Sequence, residues 1–135
     1  MPTGPQIILA LKVLVSLVTV LLVASLIALA AKRPRLHGRI NIVFFTLTML
    51  TVLGFEVLLQ FFVDVSAAFS AEAREALRVH LYFAIPSAIV LPVMLLTGLT
   101  RRKSIHVFFG VAFAILWTGT FVTGVVFLPH AGAIP

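Results

Sequence analysis

The chain has 135 residues, 61% of them hydrophobic and only 10% charged, and its mean hydropathy is +1.21. A soluble domain is excluded, because its wet surface needs far more charge. The net charge of +6 lies in short loops between apolar runs, which argues against a nucleic-acid partner and for a role in membrane topology.

Four apolar stretches follow one another, each longer than the ~18 residues that span a hydrocarbon core at about 1.5 Å per residue. The first, Ile7–Ala31, is too long for the apolar core of a signal peptide and is followed by Lys32-Arg33, so it is expected to stay as a helix. Lys12, close to one end of it, is expected to snorkel its ammonium to the interface. The loop after it carries Lys32, Arg33, Arg35 and Arg39 and no acid.

The second stretch, Ile40–Val63, contains Glu56, the only acid inside an apolar span. An ionised carboxylate there costs several kcal/mol in order of magnitude. It should therefore face the interior, be protonated, be paired with Arg78 or His80, or hold a bound cation. The middle loop sets Asp64, Glu72 and Glu75 against Arg74 and Arg78. Ser70 reads as the cap of a third helix that protrudes by two turns beyond its apolar part, Val79–Thr100. Pro86 and Pro92 are expected to kink that helix. Arg101, Arg102 and Lys103 fill the next loop, and the fourth stretch, Ile105–Leu128, carries Gly110, Gly119 and Gly124, small residues that let helices approach closely.

Both basic loops belong inside by the positive-inside rule, and the acidic loop outside. The expected fold is all-α: one transmembrane domain over residues 1–135, an up-down-up-down four-helix bundle of the bacterial inner membrane, with both termini outside the cytoplasm. No internal repeat stands out. With no cysteine, disulfides and thiolate metal ligands are ruled out.

All four histidines fall at helix ends. His37 and His106 open the second and fourth helices at the cytoplasmic face; His80 opens the third and His130 closes the fourth at the outer face. Two histidines from different helices at each face is what a bis-histidine haem b needs, and the same pairs suit copper or another metal that favours imidazole. Histidine is also at ease at a membrane interface, so simple anchoring is the competing reading. Gly110, Phe113, Trp117, Thr120 and Gly124 share the His106 face at 100° per residue; Asn41, Thr48 and Thr51 share that of His37. Such polar stripes face the bundle, lining a flat ring or packing on a neighbouring helix.

From His106 the run His-Val-Phe-Phe-Gly-Val-Ala-Phe-Ala-Ile-Leu-Trp-Thr-Gly-Thr-Phe-Val-Thr-Gly-Val-Val-Phe resembles the last helix of the CtaM/YozB-like family of small four-helix membrane proteins. The matching points are His106, Trp117 and Thr123-Gly124-Val125. Leu36-His37-Gly38-Arg39 and Arg78-Val79-His80-Leu81 resemble the family's other histidine segments. The resemblance covers about Leu36 to Phe127 and implies histidine ligation of haem or copper in the service of a haem-copper oxidase. This sequence has Glu56 and Gln60 where the family places a further histidine, and His130 has no counterpart.

The expected function is therefore a haem b or copper protein of respiratory electron transfer or oxidase assembly, with His37, His106, His80 and His130 as haem ligands, or His37, His106, His80 and Glu56 as metal ligands. The alternative is a cofactor-free accessory subunit of a larger respiratory or photosynthetic complex. No nucleophile elbow, phosphate loop or His-Glu-x-x-His is present, so an enzyme is not expected.

Overall fold

A computed structural model describes residues 2–129. These residues form five α-helices, α1 (Gly4–Ala30), α2 (Pro34–Phe61), α3 (Val65–Ala68), α4 (Ala71–Leu99) and α5 (Lys103–Phe121), the last continued by a π-helical stretch, Val122–Phe127. No strand occurs among the described residues. Four of the helices are long and apolar enough to cross a membrane. Leu17, Val20, Leu50, Phe61 and Ile115 stand on their exposed surface, a coat compatible with lipid and costly in water.

The helices begin earlier than the apolar stretches because capping and turn residues, not hydropathy, set their ends. Pro34 supplies the first turn of α2 with a preset φ and no donor to waste. α4 starts at Ala71 because the Ser70 hydroxyl accepts the Ala73 N–H at 3.1 Å, the protruding start expected from sequence. Both three-residue basic turns use the left-handed region: Lys32 has φ 58° and Arg101 φ 57°. Pro86 and Pro92 sit inside an unbroken α4; the Ser87 hydroxyl next to Pro86 donates to the Phe83 carbonyl at 2.8 Å.

Two buried clusters hold the bundle. The first joins Val18, Phe44, Leu91, Met94, Phe113 and Trp117. Phe44 meets Phe113 edge-on at 5.8 Å between ring centres, and Phe113 stacks on Trp117 at 5.5 Å. Lipid is as apolar as these rings, so they stabilise by close contact rather than by escape from water; an aromatic pair adds about 0.5–1.5 kcal/mol. The second cluster, Ile7, Ile8, Phe69, Ala73 and Leu128, closes the end that carries α3.

Among the three glycines of the fourth stretch, Gly119 lies against the Phe83 ring and Gly124 against His80, whereas Gly110 has open space beside it. The expectation of a close approach fails at Gly110 alone. The Lys12 ammonium donates to the Leu128 carbonyl at 2.7 Å, at the end of the last helix, where the partial negative charge of a helix C-terminus receives it.

Candidate functional site

The two basic turns bring His37 and His106 together. Each stands in the first turn of its helix, half-buried, and their ring centres are 6.4 Å apart with planes at 81°. The two rings are held by the same device. His37 Nδ1 lies 3.0 Å from the Ser25 carbonyl, and His106 Nδ1 lies 2.8 Å from the Met94 carbonyl. A carbonyl only accepts, so each Nδ1 donates, an arrangement that leaves the Nε2 lone pair to the neutral ring.

The parallel extends along the chain and corrects the expectation that there is no internal repeat. The offsets 106 − 37 and 94 − 25 are both 69, and the same offset relates Lys32 to Arg101, Arg33 to Arg102, Phe44 to Phe113 and Thr51 to Thr120. It also relates the last residues of α1 and α4, Ala30 and Leu99, and the first of α2 and α5, Pro34 and Lys103. The turns repeat their bonds as well: Arg33 N–H to Ala28 at 2.9 Å, Arg102 N–H to Thr97 at 3.0 Å. The α1–α2 half and the α4–α5 half are thus two versions of one unit, and His37 and His106 are its equivalent residues.

Where the versions differ, the surroundings of the rings differ. On the His37 side, the fully buried Ser25 hydroxyl lies 2.8 Å from Nδ1 and donates to Asn41 Oδ1 at 2.5 Å. The Asn41 amide then donates to His37 Nε2 at 3.0 Å. On the other side Gly110 replaces Asn41, and His106 Nε2 makes no such bond. Gly98 makes room for that ring: a Cβ there would stand 3.0 Å from Cε1 and 3.1 Å from Nδ1.

The opposite end holds a cavity of about 630 Å³ among α1, α2, α4 and α5, lined almost wholly by apolar side chains. His80, Thr48, Thr120 and Glu56 also line it, with Trp117. His80 is 4% exposed; its Nδ1 faces the Thr123 hydroxyl at 3.2 Å. That hydroxyl already donates to the Gly119 carbonyl at 2.7 Å, so the imidazole donates from Nδ1, which in the neutral ring leaves Nε2 as the acceptor. The wide π-helical turn sets Thr123 and Gly124 against this ring, and such turns often mark functional positions. Thr48 is also 4% exposed, and its Oγ1 is buried with no hydrogen-bond partner.

Glu56 and His80 line one cavity, yet no hydrogen bond or ion pair joins them. The carboxylate of Glu56 takes the side-chain amide of Gln60 one turn on and is exposed. Arg78 pairs with Glu75 at 3.1 Å and is not the partner expected for Glu56. His130 lies outside the described residues. No group of three or more His, Asp or Glu side chains suited to a metal is found among the described residues. Ser25 and Thr48 are the residues that sequence reasoning did not place at a site: Ser25 not at all, and Thr48 only as part of a stripe. No family model matches the chain, and neither does any curated protein or solved structure.

Proposed function

We propose that this chain is an inner-membrane metal-binding protein, holding one copper ion between His37 and His106 in the service of a haem-copper oxidase. The observation that carries the reading is the 6.4 Å separation of two equivalent imidazoles, each with Nδ1 anchored on a carbonyl. With nitrogen–metal bonds of ~2.0 Å and about 1.1 Å from ring centre to nitrogen, two imidazoles opposed across one ion have centres about 6 Å apart. Two nitrogen ligands suit a soft, monovalent ion best. A divalent ion wants more donors, and seven basic residues, Lys32, Arg33, Arg35, Arg39, Arg101, Arg102 and Lys103, flank the site.

The fit to haem b is poorer at this pair. A porphyrin needs a slot between the rings, whereas the large cavity is at the other end and neither His37 nor His106 lines it. Bound copper would supply one-electron chemistry or an ion for transfer. The chain's own part is orientation: the carbonyls of Ser25 and Met94 fix both tautomers, the usual way a protein aims a ligating histidine. Asn41 occupies the His37 lone pair in the copper-free state and must give it up when an ion binds. The oxidase partner is supported by the family resemblance alone.

The reading includes the topology: an up-down-up-down bundle with basic turns in the cytoplasm and both termini outside. Ser70→Cys and Ser104→Cys should label from opposite faces of sealed vesicles. For copper, anaerobic titration of the detergent-solubilised protein against a chromophoric Cu(I) chelator should give one ion per chain. His37→Ala and His106→Ala should each abolish it to the same degree. If both variants keep full occupancy, the closed Ser25–His37–Asn41 network is a structural staple, and the accessory-subunit reading takes its place.

A further inference from the structure

We propose that the cavity at the α3 end binds a neutral, lipid-soluble ring compound bearing hydroxyl or carbonyl oxygens, of the quinol type, between His80 and Thr48. The cavity exists because the two halves of the chain differ there. Trp117 is the counterpart of Thr48 at the 69-residue offset; its indole is buried in the core and donates to Thr19 Oγ1 at 3.0 Å. Thr48 fills far less space on its side, and a space of about 630 Å³ remains. Apolar space of that size with a few converging polar groups has the form of a small-molecule site.

The polar groups define the ligand. His80, its Nδ1 committed to Thr123, offers an acceptor to a ring hydroxyl. Thr48 Oγ1, buried and unpartnered, offers a donor to a ring oxygen. A hydroxyl left unpaired at such depth is unfavourable unless something completes it. No lysine or arginine lines the cavity, so a fatty-acid carboxylate, a phosphate or a porphyrin propionate would enter without a counter-charge. A neutral head with both donor and acceptor oxygens meets both side chains. The buried Trp117 and the half-buried Phe55 on the walls suit a flat ring.

Trp117 is the only tryptophan of the chain, so its fluorescence reports on the cavity directly. The purified protein in nanodiscs is titrated with ubiquinone-1, corrected for absorption by free tryptophanamide, and the titration is repeated with hexadecanol as an apolar control. Saturable quenching by the quinone and none by the alcohol is expected. Thr48→Val keeps shape and loses one hydrogen bond, which should weaken binding roughly two- to twelvefold. Thr48→Phe fills the space and should abolish saturable quenching while keeping or raising the melting temperature. Unsaturable quenching, or both Thr48 variants binding as wild type does, would overturn the proposal. Equal binding of hexadecanol would assign the cavity to lipid chains and overturn it too.

Discussion

Gly119→Ala tests how tightly α5 is seated on α4. A Cβ at residue 119 would stand 2.2 Å from Phe83 Cδ1, 2.6 Å from Cε1 and 2.7 Å from Cγ. Carbon atoms rest at about 3.5–4.0 Å, so the shortfall is more than an ångström against a rigid ring. Phe83 cannot yield as the end of a flexible chain would; the ring must swing out or the helices must part. Overpacking of this kind costs about 1–3 kcal/mol, and the depth of the clash puts the change at the upper end. Gly54 provides the control. It is exposed on α2, and a Cβ there meets nothing within 4 Å, so Gly54→Ala should stabilise by up to about 1 kcal/mol through helix propensity. Unfolding in mixed micelles by SDS titration, followed by far-UV circular dichroism, measures both. If Gly119→Ala falls within about 0.5 kcal/mol of wild type, the helix–helix contact described above is wrong.

At the histidine pair, Asn41→Ala removes the amide that occupies His37 Nε2 and should tighten Cu(I) binding, whereas Ser25→Ala removes the hydroxyl beside Nδ1 and should loosen it; chelator competition reads both signs. Lys12→Met keeps the stem and removes the ammonium on the Leu128 carbonyl, at a cost of about 1.5–3 kcal/mol, seen as faster hydrogen exchange over residues 122–128; unchanged exchange would mean the ammonium sits elsewhere. The Asp64 carboxyl is held below its ordinary value by the Ser66 hydroxyl first, then by the backbone N–H groups of Ser66 and Ala67. Its contribution to α3 is therefore present above the unfolded carboxylate value and is lost as the pH falls through the folded one. The stability difference between wild type and Asp64→Ala should persist at neutral pH and vanish in acid.

The helices were legible in the sequence because four apolar runs of spanning length admit little else, and Ser70 announced the early start of α4. Helical phase showed the inward face of α5, where Phe113, Trp117 and Thr120 are all buried. The repeat was written in the chain and hard to see. Outside the turns it rests on points such as His37 and His106 or Phe44 and Phe113, sparse marks against a background where nearly every position is apolar. Only the shared turn geometry and the two carbonyl-anchored rings fix the register. Ser25 could not be placed because its role depends on the rotation of α1 against α2, which phase does not give. The cavity depends on volume across four helices, and Glu56 on whether a local partner, Gln60, takes its charge before a distant one does.

The central claim, a copper ion between two equivalent imidazoles, is tested most directly by X-ray absorption at the copper edge of the Cu(I)-loaded protein. Two nitrogen scatterers at ~2.0 Å with imidazole outer-shell features in the wild type, and no copper retained by His106→Ala, is the result expected. Sulfur scattering from methionine, or the wild-type nitrogen shell retained in both His37→Ala and His106→Ala, would contradict it.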